Sequence, residues 1–146
     1  MTRVCILVLA GALAACGTAG TAGTGTPTPT VGPPTSAPNP SPVVSAKGGI
    51  TLKTPSANAK VTSPVTISGD ASVFEAALQW RITDASGRVI VEGNTTASLG
   101  APGRGTYSVT ATYTVSAEMP AFIEVYSRSA KDGTIDESVR IPVTLR

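Results

Sequence analysis

Side chains whose types and spacing could support acid–base or nucleophilic chemistry stand close together at one place in this sequence. The 146 residues include no histidine, which removes the usual proton carrier near neutral pH and the commonest metal ligand. The stretch after position 128 offers Ser129 with Lys131, and the carboxylates of Asp132, Asp136 and Glu137. In turns, Asp and Ser more often bond to nearby backbone N–H groups, and this spacing lacks the dense carboxylates of a calcium loop. We therefore predict that the chain is not an enzyme and has no cofactor and no metal site.

A second group of side chains suits binding rather than reaction, along residues 121–128. If Ile123 and Val125 point inward, the side chains that alternate with them face outward. Aromatic side chains rimmed by charges are typical of a contact surface for a protein or a glycan. The opposite parity would place Phe122 and Tyr126 in the core, so both interpretations stay open. The predicted binding surface consists of Phe122, Glu124, Tyr126 and Arg128, with Gln79, Arg81 and Arg140 on the same sheet.

Cys16 is the third chemically distinctive residue, and what precedes it looks like an export signal. Arg3 makes the start positive, and residues 4–13 form an apolar run about half as long as the roughly 20 residues of a membrane span. Leu13-Ala14-Ala15-Cys16, followed by Gly17, resembles the lipobox of bacterial lipoproteins. That resemblance implies diacylglycerol on the Cys16 sulfur and cleavage before it. The alternative is an ordinary signal peptide with a stray cysteine after its cleavage site.

Composition divides the chain into three segments. Residues 1–15 are the predicted signal peptide. Between residues 17 and 46, 26 of 30 residues are Gly, Ala, Ser, Thr or Pro, so residues 16–46 are predicted to be a lipidated, disordered stalk with little to bury. All six aromatic residues lie between positions 74 and 126, which places the folded domain in residues 47–146. Acyl chains on Cys16 would hold the domain outside the cytoplasm, anchored to the cell membrane.

The charge pattern of the domain excludes one large class of partners. From Lys47 onward the chain has ten Lys or Arg and nine Asp or Glu, with no run of one sign. Nucleic-acid binding needs a concentrated basic patch that releases counterions. We therefore predict no nucleic-acid partner.

Alternation of apolar and polar residues dominates the domain and predicts strands rather than helices. Seven short one-sided strands in about a hundred residues favour an all-β, immunoglobulin-like two-sheet sandwich. Cys5 and Cys16 both precede the domain, so the sandwich would have no disulfide. A closed barrel is the alternative, but Pro142 is easiest to place in an edge strand, which a barrel lacks. The predicted strands are residues 74–82, 107–115 and 139–145, and, less clearly marked, 50–53, 65–68, 88–92 and 121–128.

Several stretches of the domain are similar to one known family. Together they resemble the immunoglobulin-like domain of bacterial spore germination, over roughly residues 50–146. The resemblance implies an immunoglobulin-like module carried on exported, often lipid-anchored, bacterial proteins, with no enzymatic activity assigned. The stretches that carry it are residues 60–71, Val73-Phe74-Glu75-Ala76, residues 84–87, residues 129–133 and Ile141-Pro142-Val143.

The function expected from the sequence is non-enzymatic. The chain is interpreted as a membrane-tethered interaction or scaffold module outside the cytoplasm, which binds an envelope protein or a cell-wall polymer. The alternative is an accessory lipoprotein that presents a small molecule or a metal to a membrane partner. Fold alone does not choose between them, because immunoglobulin-like modules have many unrelated roles.

Overall fold

A computed structural model describes residues 41–146, where almost all regular structure is β-strand. The predicted signal peptide, Cys16 and most of the predicted stalk lie outside these residues. Within them, no helix is long and apolar enough to cross a membrane. One short 3-10 turn, Phe74–Ala76, precedes the fifth strand. The strands are β1 (Val43–Val44), β2 (Ile50–Thr54), β3 (Lys60–Val61), β4 (Val65–Ala71), β5 (Ala77–Asp84), β6 (Val89–Thr96), β7 (Gly105–Ala111), β8 (Met119–Arg128) and β9 (Ile135–Leu145).

The nine strands form two sheets. One has four strands in the order β1-β2-β4-β7, and the other has five in the order β3-β9-β8-β5-β6. All neighbours are antiparallel except β3 and β9. The predicted all-β, two-sheet architecture is confirmed, and the seven predicted strands correspond to β2 and to β4 through β9. The count of seven was too low because β1 and β3 have two residues each, too few to show an alternating pattern.

Both sheets contribute their inner faces to one hydrophobic core. Fully burying a Val, Leu or Ile side chain stabilises the fold by about 1.5–3 kcal/mol relative to leaving it exposed. Because both cysteines of the chain precede residue 41, packing rather than a disulfide holds these sheets together. The largest fully buried side chains are Ile50, Leu52 and Ile67 from the four-stranded sheet, and Leu78, Ile82, Ile123, Val125, Ile141 and Leu145 from the five-stranded sheet.

Trp80 is the largest core side chain, and a glycine on the next strand makes room for it. Trp80 of β5 pairs with Gly93 of β6, and the indole ring packs against the glycine. A Cβ atom at position 93 would lie 2.7 Å from the ring, closer than carbon atoms approach without repulsion. The size of Trp80 therefore dictates the glycine opposite it.

The strand predicted over residues 74–82 begins later than the alternation suggests. Phe74 was expected to start an inward-facing series that continues through Ala76 and Leu78, yet it lies in the 3-10 turn and is 65 % exposed. The cause is local backbone geometry, because Glu75 and Ala76 both have positive φ angles, 53° and 58°. The alternation becomes structural only at Ala77, where β5 starts.

A similar correction applies at the end of β7. The sequence predicts a strand over residues 107–115, but β7 ends at Ala111. Tyr113 is nevertheless buried, and its hydroxyl donates a hydrogen bond of 2.7 Å to the carbonyl oxygen of Val61. Its inward orientation therefore comes from this contact with β3 rather than from strand pairing.

Pro142 and the start of the domain also differ in detail from the prediction. β9 is not an edge strand, but β3 pairs with it only at Thr144 and Leu145, so Pro142 breaks no ladder on that side.

At the start of the domain, the predicted stalk extends to residue 46, whereas Val43 and Val44 pair with β2. The folded part of the chain therefore begins before Lys47.

Asp84 organises the turn between β5 and β6 and gives the fold an acid-sensitive element. One carboxylate oxygen accepts hydrogen bonds from the Ser86 hydroxyl (2.6 Å) and from the backbone N–H groups of Ser86 and Arg88 (both 2.9 Å). These hydrogen bonds lower the pKa of Asp84 from 3.8 to about 2, and the bond from the Ser86 hydroxyl contributes most. The unfolded chain therefore binds more protons in this range, and the stabilisation is complete above pH 4 and lost as the pH falls towards 2.

We expect Asp84→Asn to remove that dependence. Urea unfolding at pH 5, 4, 3 and 2 should show the native chain more stable than the variant at pH 5, with the difference shrinking towards pH 2. Two stability curves that stay parallel over this range would contradict the assignment.

Candidate functional site

The predicted binding surface depends on the parity of β8, which the structure gives directly. Ile123 and Val125 are fully buried in the core. The alternating residues Phe122, Glu124 and Tyr126 therefore lie on the outer face of the five-stranded sheet. This is the parity on which the sequence-based surface rests.

Strand register places four charged side chains side by side across this outer face. Arg81 of β5 pairs with Glu92 of β6 and with Glu124 of β8, and Glu124 pairs with Arg140 of β9. We refer to Glu92, Arg81, Glu124 and Arg140 as the charge row. Its signs alternate, so each neighbour attracts the next. Arg81 and Glu124 form an ion pair of 2.7 Å, and this hydrogen bond is the main cause that raises the pKa of Arg81.

The two aromatic rings on this face are covered by arginines. The guanidinium carbons of Arg81 and Arg128 lie 5.1 and 5.4 Å from the centre of the Tyr126 ring. That of Arg140 lies 3.9 Å from the centre of the Phe122 ring. Cation–π contacts of this kind stabilise both partners, and Tyr126 is only 4 % exposed although it is on the outer face. The face therefore presents guanidinium groups, rather than the bare aromatic rings that the sequence suggested.

Beside Tyr126 the outer face sinks into a depression of about 470 Å³, which we call the polar depression. The side-chain oxygen of Gln79 is buried there and has no hydrogen-bond partner among the described residues. Glu92 and Arg128 have no ion-pair partner within residues 41–146. The lining consists of Gln79, Glu92, Gly93, Asn94, Tyr126 and Arg128.

Three of these lining residues belong to the predicted surface and three do not. Gln79, Tyr126 and Arg128 were identified from the alternation of β5 and β8. Gly93 and Asn94 were missed because the predicted strand there ended at residue 92, and Glu92, its last residue, was not assigned to the surface. Their positions in the sequence could have identified two of them. Glu92 and Asn94 are two residues apart, so on one extended strand both side chains face outward.

The acidic residues near position 132 each have a structural partner. Asp132 accepts hydrogen bonds from the backbone N–H and hydroxyl of Thr134, which lower the pKa of its carboxyl group. Asp136 forms an ion pair with Lys47, and Glu137 accepts hydrogen bonds from Ser45 and from the backbone N–H of Gly49. Across residues 41–146, no group of three or more acidic, Cys or His side chains is placed to hold a metal ion.

The two sheets, their shared core and the outer face together define an immunoglobulin-like β-sandwich module. More specifically, a family model for the immunoglobulin-like domain of bacterial spore germination matches residues 49–134, more than half of the chain, and the chain belongs to this family. Comparison with curated proteins and with solved structures found no significant match.

Proposed function

We propose that this protein is a non-enzymatic, membrane-tethered module that binds a cell-envelope polymer through the outer face of its five-stranded sheet. The tether is the lipid predicted on Cys16. The ligand-binding centre is the polar depression, with the charge row beside it. The proposal is favoured by the family, whose members share an immunoglobulin-like domain, and by the chemistry of the depression.

The observation that carries the proposal is the mixture of polar and charged side chains that line the polar depression. Gln79 contributes a buried acceptor without a partner, and such an acceptor costs free energy until a donor reaches it. Asn94 adds an exposed amide, while Glu92 and Arg128 add one charge of each sign. Together they match a ligand with hydroxyl, amide and charged groups, as in a wall glycan or its attached peptides.

The placement of the two charges on separate strands favours a polymer over a single ion. Glu92 lies on β6 and Arg128 on β8, with β5 between them, so two strand spacings, about 10 Å, separate their backbones across the sheet. A ligand that meets both side chains has complementary groups at separate positions, as a wall glycan with its peptides does and one metal ion does not.

The test is co-sedimentation of the purified chain with insoluble cell-wall sacculi. We expect the double variant Glu92→Gln/Asn94→Ala to bind at least about tenfold more weakly, because two well-made polar contacts contribute roughly 1.5–3 kcal/mol together. Both residues are exposed on β6, so folding should be unaffected. Thr110→Ala, an exposed position on β7 of the other sheet, is the matched control and should bind as the native chain does.

Three outcomes would count against the proposal. The first is undiminished binding of the Glu92→Gln/Asn94→Ala variant. The second is equal loss of binding in the Thr110→Ala control, which would mean that the loss is not specific to the outer face of the five-stranded sheet. The third is a chain that ignores sacculi but is stabilised in a thermal-shift screen by single sugars or divalent ions. That result would favour the small-molecule alternative.

A further inference from the structure

The two most exposed large apolar side chains in the described part of the chain stand on adjoining loops at one end of the sandwich. Phe74 is 65 % exposed and Leu99 is 59 % exposed. Phe74 is in the loop before β5, and Leu99 is in the loop between β6 and β7. We call residues 72–76 and 97–104 the loop tip. Apolar side chains grouped in this way at the surface commonly mark an interaction site.

Backbone contacts fix the two loops to one another. The N–H of Ala101 donates to the carbonyl oxygen of Val73, and the N–H of Ala97 donates to that of Ala76, both at 2.9 Å. At Gly100, a Cβ atom would lie 2.9 Å from the backbone nitrogen of Ala76. The loop tip is therefore a packed unit, and its two apolar side chains are held in defined positions before any partner arrives.

The backbone at the loop tip is also strained in a way that keeps Phe74 out of the core. Glu75 and Ala76 both have left-handed φ angles, which cost non-glycine residues about 1–2 kcal/mol each. An extended backbone here would continue the alternation of β5 and turn Phe74 inward. Strain that holds an aromatic ring in solvent, rather than in the core, is expected where the ring has a use.

From these observations we propose that the loop tip docks into an apolar cleft, rimmed by basic residues, on another envelope protein. Phe74 and Leu99 enter the cleft. Glu75 is exposed beside Phe74 and has no ion pair or side-chain hydrogen bond within residues 41–146. Its carboxylate is matched by a Lys or Arg at the rim of the cleft. This docking does not depend on the proposed polymer site.

A carboxylate at the loop tip argues against a lipid bilayer as its target. Glu75 is exposed next to the exposed ring of Phe74, and a carboxylate there opposes insertion into an anionic membrane surface.

The size of the patch argues against a symmetric pair of these chains. The exposed parts of Phe74 and Leu99 amount to roughly 200 Å², whereas a stable flat interface needs about 800 Å² from each partner. Insertion into a cleft surrounds the two side chains and gains contact area from its walls. Apolar side chains that fill a pocket in this way can dominate the energy of a small interface.

The test uses a photo-crosslinking phenylalanine analogue in the full chain, in its native envelope. At positions 74 and 99 it should give an adduct with one and the same protein. Val89 is 42 % exposed but pairs with Thr83 at the far end of β5, and the analogue at this position should not give that adduct. With the captured protein purified, Phe74→Ser and Leu99→Ser should each weaken its binding at least tenfold without changing the unfolding temperature. Glu75→Lys should weaken binding more than Glu75→Gln.

The remaining outcomes overturn the proposal. These are no adduct at positions 74 and 99, adducts of equal yield at positions 74, 99 and 89, adducts only with lipid or with a second copy of this chain, and binding of the purified partner that Phe74→Ser leaves unchanged. Because the sacculus-binding variants lie on β6, failure of the loop tip would leave that result intact.

Discussion

Gly69→Ala is expected to destabilise the domain by about 3 kcal/mol or more, because no space exists for a methyl group at this position. A Cβ atom there would lie 1.8 Å from the carbonyl oxygen of Thr51 and 2.8 Å from the hydroxyl oxygen of Tyr107. The Tyr107 hydroxyl crosses over Gly69 to donate a hydrogen bond of 3.1 Å to that same carbonyl. The methyl group would push β2 from β4 and break this bond. Urea unfolding of the purified variant measures the loss.

Two further variants separate this clash from other effects of replacing glycine. Gly48→Ala is the control, since its Cβ atom would meet nothing within 4 Å and only its positive φ of 80° is strained, which costs about 1 kcal/mol. Tyr107→Phe should cost roughly 1 kcal/mol in the native chain and almost nothing when combined with Gly69→Ala, because the hydrogen bond is already broken. Equal losses for Gly69→Ala and Gly48→Ala would show that the two strands move apart without strain.

Much of the fold was predictable because burial on one face of a strand leaves a period of two in the sequence. That period gave β5, β7 and β9 clearly, and it gave the inward orientation of Ile123 and Val125. It does not report backbone angles, so it continued through Phe74 although the left-handed residues after it turn the ring into solvent. It also cannot reveal two-residue strands such as β1 and β3.

The candidate site was predictable to a smaller extent, because it depends on which strands are neighbours. Parity placed Tyr126 on the outer face, but only the pairing of β8 with β5 brings Arg81 to its ring. In the same way, Glu92 and Asn94 reach the polar depression because β6 pairs with β5. Long-range register sets these contacts, and a pattern along a single strand contains no information about it.

Cys16 lies outside the described part of the chain. Loss of the lipid predicted on this residue is expected to have the largest effect on where the protein is found. Cys16→Ala should reduce incorporation of labelled palmitate to background. The protein should then leave the detergent-rich phase in a phase-partition assay, or accumulate as an uncleaved precursor. Each buried methylene contributes about 0.8 kcal/mol to membrane binding, so two or more acyl chains account for stable attachment.

Cys5→Ala is the matched control, because Cys5 lies within the predicted export signal and should be removed with it. This variant should be labelled and retained as the native chain is, and Cys16→Ser should behave like Cys16→Ala, because an oxygen does not replace the sulfur. Normal labelling and retention of Cys16→Ala would contradict the lipid assignment.

The Cys16→Ala protein, if released, should still sediment with sacculi, because the residues of the polar depression all belong to β5, β6 and β8. Anchoring and binding are thus separable, and a released chain that no longer sediments with sacculi would contradict the proposed polymer site.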